Sequence, residues 1–206
     1  RTKYKGKKVS VQLLTNVRSG NCTQNCAYCA QSKDSQAEIE KYKRVSDEKL
    51  YGDNDLVDEK HLARHCIGLS GIGFSDEEIE DLADRIREMK KKDTQICCSI
   101  GFLTEKQARI LKDAGLDRIN HNLNSSRSFY PEICTTHTYD QRVNNIKMLQ
   151  SLGFEICSGG IVGMGESKED IVDMLMDLRE INPESVPINF LLPIPGTRLA
   201  DRDISE

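Results

Sequence analysis

"SVQLLTNVRSGNCTQNCAYCAQS", residues 10–32, carries an aliphatic run straight into a polar loop with three cysteines. Cys22, Cys26 and Cys29 stand in a C-x-x-x-C-x-x-C spacing. Thiolates in so short a span favour zinc or an iron–sulfur cluster. A structural zinc needs four closed ligands, usually from two pairs. This loop offers three, and no fourth Cys or His lies within the next thirty residues. A four-iron cluster held by three thiolates keeps one iron open for a small-molecule ligand, which suits the trio better. Zinc, or three inert thiols, are the alternatives that the loop alone leaves open.

The composition narrows the class. With 206 residues the chain can build one sizeable domain with its own core, and we read 1–206 as a single domain. Its 37% hydrophobic and 30% charged residues fit a soluble globular protein rather than disorder. The net charge is −4 and no basic run exceeds Lys90–Lys92, so nucleic-acid binding has no electrostatic support. No apolar stretch approaches the ~20 residues of a membrane helix. No signal peptide is visible. Eight cysteines therefore read as metal or redox chemistry in a reducing, cytoplasmic compartment rather than as a disulfide framework. The chain starts at Arg1 rather than Met, which leaves its true N-terminus open.

Beyond the loop, short aliphatic runs alternate with amphipathic helices. After 10–17, strand candidates are 62–69, 94–101, 116–123, 154–162 and 185–192. Ser75-x-x-Glu78 is a capping box before Ile79, Leu82, Ala83, Ile86 and Met89. Thr104-x-x-Gln107 opens a second helix that ends at Gly115. Val143, Ile146 and Leu149 line a third, stopped near Gly153. Ser167-x-x-Asp170 starts a fourth, with Ile171, Leu175 and Leu178 on one face and Pro183 beyond it. Segment 33–60 should hold the first helix of the series, although "YGDNDLVDE" is a poor helix sequence.

Strand–helix alternation predicts an α/β fold with a parallel sheet. The chemically capable residues then fall in order. The loop thiols follow the first strand. Cys66, Cys97, Asn120 with Asn122, Cys157 and Asn189 lie in or near the C-terminal halves of the next five. In a parallel β/α barrel those ends share one mouth. An open, doubly wound sheet would also gather strand ends. "NHNLN" (120–124) puts three amides at alternate positions, so Asn120, Asn122 and Asn124 should share a side, where a ligand can satisfy them. His121 should point the other way, as a structural hydrogen-bonding residue. "GGIVGMGE" (159–166) lacks the Gly-Lys-Ser/Thr of a phosphate loop.

These motifs together resemble a known family. Cys22, Cys26, Tyr28 and Cys29, as C-x-x-x-C-x-aromatic-C, resemble the signature of the radical S-adenosylmethionine (SAM) enzymes. "NHNLNSSRSFYPEICTTHTYDQR" (120–142), "CSGGIVGMGES" (157–167) and "ESVPINFLLPIPGT" (184–197) narrow the resemblance to the biotin synthases. It covers residue 10 onward and is weakest over 33–64. It implies a TIM-type β/α barrel, incomplete at about six β/α units, and sulfur insertion into dethiobiotin. It implies a [4Fe-4S] cluster on Cys22, Cys26 and Cys29, with SAM on the open iron. A second, sulfur-donating cluster, of the [2Fe-2S] type, would lie on Cys66, Cys97 and Cys157. The family spacing to Gly101 selects Cys97 over Cys98, and adjacent strand residues face opposite ways.

The same resemblance places Tyr28, Asn122 and Asn124 against SAM, with Gly159, Ile161, Gly163 and Glu166 as its G-x-I-x-G-x-x-E element. The glycines would allow close backbone approach there, or simply a tight strand-to-helix turn. It places Asn120, Asn122 and Asn189 on dethiobiotin. It implies flavodoxin or ferredoxin as reductant, and a homodimer at full length. Asn124 stands where well-studied members carry an aspartate. Cys134 stands where many carry an aliphatic residue, and reads either as a spare thiol or as the sign of a different auxiliary cluster. Six strands are two short of a closed barrel and no late-strand arginine is present, so we expect a fragment of a longer protein, inactive alone. The rival readings are a related radical SAM enzyme of the hydrogenase-cofactor maturase or methylornithine synthase type, and a non-catalytic iron–sulfur or zinc protein.

Overall fold

The computed structural model describes residues 9–203, so the ends of the 1–206 domain assignment lie outside the described residues. Its backbone is a curved parallel wall with helices on the outside. Strands β1 (Gln12–Arg18), β2 (Arg64–Leu69), β3 (Ile96–Ser99), β4 (Arg118–Asn120) and β5 (Glu155–Cys157) pair in sequence order. Strands β6 (Gly160–Val162) and β7 (Ile188–Phe190) pair as a second parallel ribbon. Single bridges, Asn124 to Gly160 and Cys157 to Ser185, join the two. These are the staves of a partial TIM-type barrel.

The run 154–162, expected as one strand, is two. The chain jogs at Ser158–Gly159 because Gly159 lies against β7: a Cβ there would come 1.8 Å from Pro187 O. Period-2 alternation sorts the wall into two faces. Ile67, Cys98, Ile119 and Ile156 are fully buried under the helices and sit side by side in register. The residues between them, Cys66, Cys97 and Arg118, look into the barrel. Each isoleucine so buried contributes about 1.5–3 kcal/mol.

Helices α2 (Asp76–Met89), α3 (Glu105–Asp113) and α6 (Lys168–Ile181) begin at the expected caps, each a complete capping box. Helix α5 (Tyr139–Ser151) has one too, Thr138 with Gln141, which the reading above overlooked although T-x-x-Q stands in the sequence. A single helical turn, α4 (Tyr130–Ile133), precedes it. The weak segment does form a helix, α1 (Asp47–Glu59), capped by Ser46. One of its weak helix formers is a tertiary tie: Asn54 Nδ2 donates to Met89 O at 3.2 Å, and Asn54 Oδ1 is 3.1 Å from His65 Nδ1. On α6 the buried face is Met174, Leu178 and Ile181, whereas Leu175 is 44% exposed, contrary to the spacing argument. Gly160 explains the rotation, since Met174 Sδ occupies the space where a Cβ would stand, 2.1 Å away.

Candidate functional site

The loop that follows β1 is held by distant elements. Ser19 pairs with Tyr42, then Gly20 and Asn21 take left-handed φ of 73° and 53° and swing the chain over the mouth. Gln31 Oε1 accepts from Gly20 N at 2.8 Å, and Ala27 N donates to Ile133 O at 2.8 Å. Asn25 exchanges hydrogen bonds with Thr135 at 2.7 and 3.0 Å. Arg198 Nη2 donates to the carbonyls of Asn25 and Ile133, tying the last turn to the loop.

This scaffold turns Cys22, Cys26 and Cys29 into one cleft of about 280 Å³. The same cleft is lined by Tyr28, by Asn120, Asn122 and Asn124, and by Ile161 and Asn189. Three half-buried thiols on one concavity are a fitting donor set for an iron–sulfur cluster. Burial pushes Cys29 up, against the backbone N–H of Gln31 and with a smaller push from Cys22. Cys26 lies far above the usual thiol range, first through its hydrogen bond with Cys134, and Cys134 is held at about 3 by the same bond. Cys26 Sγ donates to Cys134 Sγ, 3.8 Å away.

The asparagines are fixed by backbone. Asn122 Oδ1 accepts from Gly159 N at 3.0 Å, and Asn124, at φ 72°, exchanges backbone bonds with Gly159 and Ile161. Asn120 Nδ2 reaches Cys157 Sγ at 3.4 Å. His121 is buried against Phe102, ring centroids 5.2 Å apart, with its Nε2 unpartnered by protein. Of the glycine element only Ile161 lines the cleft. Gly159 packs on β7, and the Glu166 carboxylate accepts from Gly163 N and Met164 N at 2.6 and 2.8 Å, which closes the turn into α6.

A second cavity, of about 670 Å³, fills the barrel interior and adjoins the first along Gln31, Leu69, Ser99, Asn120 and Asn122. Cys66, Cys97 and Cys157 all line it. Register explains why: Cys66 and Cys97 are partners across β2 and β3, and Cys157 partners Asn120 one row nearer the mouth. Cys98 points to the core instead. Beneath the thiols, Arg64 and Arg118 share a single carboxylate, Glu155, at 3.2 and 2.6 Å. Arg64 Nη1 has no partner though buried. This surplus of positive charge suits an anionic cluster above it. The hydrogen bond with Cys97, then Arg64 and Arg118, bring Cys66 down to about 7 against its burial, while Cys97 is pushed up.

Sequence reasoning missed Arg142, Arg64 and Arg118. Arg142 lies in the cleft wall, donating to Asn122 O, His137 Nε2 and Tyr130 Oη. Nothing in its helical spacing marks it as inward-facing. Cys134 joins the cluster loop, not the interior thiols, so it does not extend the second site.

A model of the radical SAM superfamily matches residues 16–178. The chain is 43% identical over 190 residues to a biotin synthase of Sulfurihydrogenibium sp., covering 92% of this chain and 57% of that protein. It is 44% identical over 202 residues to a biotin synthase of Acaryochloris marina, covering 98% and 58%. The chain thus spans less than two thirds of the length of these relatives. A crystal structure of methylornithine synthase superposes with a TM-score of 0.88 at 16% identity, over 100% of this chain and 60% of that one. At that identity the likeness concerns the fold.

Proposed function

The chain belongs to the radical SAM superfamily, and from that premise we propose that it serves a biotin synthase, inserting sulfur into dethiobiotin to give biotin. Membership implies a [4Fe-4S] cluster and SAM. When bound, these supply the hydrogen-abstracting power, and a second cluster, which we read as [2Fe-2S], supplies the sulfur.

The chain's own residues divide the remaining work. Cys22, Cys26 and Cys29 hold the first cluster. Tyr28, Asn122, Asn124 and Ile161 bound the space for SAM, and Gly159, Gly163 and Glu166 shape the turn that presents Ile161. Asn120, Asn122 and Asn189 offer amide donors and acceptors to the ureido group of dethiobiotin. Cys66, Cys97 and Cys157 would hold the second cluster, with the positive charge of Arg64 and Arg118 close by. Together they position the substrate between the two centres and keep water out.

The observation that carries this reading is the contact between the cavities. Three thiols, on β2, β3 and β5, face a space that opens, through Asn120 and Asn122, into the cleft of the loop thiols. A related radical SAM enzyme of the methylornithine synthase or maturase type need not keep Cys66, Cys97 and Cys157 together, and their shared cavity favours the sulfur-inserting reading. Flavodoxin or ferredoxin would deliver the electron, and the full protein would act as a homodimer. The test is anaerobic reconstitution of the full-length protein with iron and sulfide, then assay with SAM, reductant and dethiobiotin. Biotin together with 5′-deoxyadenosine is expected; deoxyadenosine without biotin would remove the substrate assignment.

A further inference from the structure

The stretch "KDSQAEIEK", residues 33–41, carries a charge pattern that neither thiol site uses. It forms no helix and lies behind the cluster loop, pinned along its length. Lys33 N donates to Gln24 O at 2.8 Å, Gln36 N to Gly196 O at 2.7 Å, and Tyr42 N, just beyond, to Ser19 O at 3.1 Å. Its exposure alternates: Ser35, Ala37 and Ile39 are half-buried, whereas Gln36, Glu38 and Glu40 are exposed. The odd-numbered residues, Lys33 to Lys41, all line one hollow of about 400 Å³ against the cluster loop. Asp34, Glu38 and Glu40 stand at even positions and line none of it. Alternation thus sorts a stretch of mixed charge into a basic face and an acidic one.

The hollow and the inner cleft share a wall, because Cys22 lines both. Cys26 and Cys29 border the cleft too, but their other side is a gap too small for water, lined by Arg198. With SAM in the cleft, Cys22 is the thiol that leads to the outer surface. Lys41 is fixed beside it: a Cβ on Gly20 would stand 2.6 Å from Lys41 Cγ, so the lysine stem uses the space that glycine leaves. Lys33 and Lys41 are exposed, and neither has a carboxylate partner among the described residues. The net charge of the chain is −4. A basic hollow is therefore an exception on this surface, and one that an anionic partner would find.

We propose that this hollow is the electron entry: an acidic one-electron carrier protein docks over Lys33 and Lys41 and reduces the first cluster by way of Cys22. The proposal rests on the reading that Cys22 ligates that cluster, and adds to it the place where the donor sits. The carrier gives up one electron and the cluster gains it; no bond forms or breaks, and no proton crosses the interface. The lysines steer and orient the carrier.

The test uses the full-length protein, reconstituted with iron and sulfide. Rapid-freeze electron paramagnetic resonance follows reduction of the four-iron cluster by reduced flavodoxin, as the acidic carrier, and by reduced methyl viologen, a small cation. Wild type is compared with Lys33→Glu/Lys41→Glu, with Lys33→Arg/Lys41→Arg, and with Lys91→Glu/Lys147→Glu, which makes the same change of charge at exposed positions elsewhere. With flavodoxin at low salt, K33E/K41E should be reduced about tenfold more slowly and lose most of its salt dependence. The arginine pair and K91E/K147E should match wild type, and methyl viologen should reduce all four proteins alike. A wild-type rate with flavodoxin in K33E/K41E, or equal slowing in either of the other pairs, would overturn the proposal. So would slowing of both reductants in K33E/K41E, which would make the lysines a structural requirement of the loop. A wild type that takes up no iron strikes instead at the assignment of Cys22, Cys26 and Cys29.

Discussion

Two sets of three thiols are placed in this molecule by different physics. Cys66, Cys97 and Cys157 ride on hydrogen-bonded strands, and their common direction follows from register alone. Cys22, Cys26 and Cys29 sit on irregular backbone, and their convergence depends on ties to Ile133, Thr135, Gln31 and Arg198, residues far away in the chain except Gln31. The interior set is as firm as the barrel wall. The loop set is only as firm as its tethers, and it is the one to which we assign the SAM-binding cluster.

The comparison breaks first, if it breaks, on function. Cys26→Ala should abolish cleavage of SAM, whereas Cys97→Ala should leave cleavage and lose sulfur insertion. Deoxyadenosine and biotin measured in one assay separate the two, and loss of both products in C97A would show that the sets do not act independently. Next in size is the wall. Ile67→Ala, one residue from Cys66 but on the core face, should cost about 2–5 kcal/mol in urea unfolding. A change under 1 kcal/mol would mean that β2 is not the rigid stave described.

Acid sharpens the contrast further. Burial brings His65 down to about 4 from 6.5, against the pull of Asp53, so it is neutral when folded. The unfolded chain takes up the proton first as pH falls. The stabilisation is complete above about 6.5 and is withdrawn as pH drops toward 4. The urea midpoint should fall over that window, and the slope should flatten in His65→Gln; equal slopes would assign the pH dependence to other groups. Smallest is the tether. Arg198→Ala removes bonds to two carbonyls and should cost about 1 kcal/mol globally, yet hydrogen exchange at residues 22–29 should rise well above that in β2 and β3. Uniform protection would erase the distinction between loop and wall.

Much of this was legible in the chain. Caps at Ser75, Thr104 and Ser167 are local chemistry, and each starts its helix where the spacing requires. The two thiol sets announce themselves by residue type; alternation sends Cys97 and Cys98 to opposite faces, and the spacing to Gly101 chooses between them. What the sequence hides is tertiary. Asn54 looks like a helix fault until Met89 and His65 stand beside it. Leu175 seems to belong to the core until Met174 is seen filling the space of a missing side chain at Gly160. Arg142 reads as surface charge, and Cys134 as a stray thiol, because their partners lie on other elements. The jog between β5 and β6 comes from Pro187, twenty-eight positions downstream of Gly159.

One consequence follows from the pairing of β2 with its neighbours. A slip of β2 by a single position would turn Ile67 toward the lumen and bury Cys66 among the helices. The interior trio is thus a readout of register: one stave out of step would already break it up.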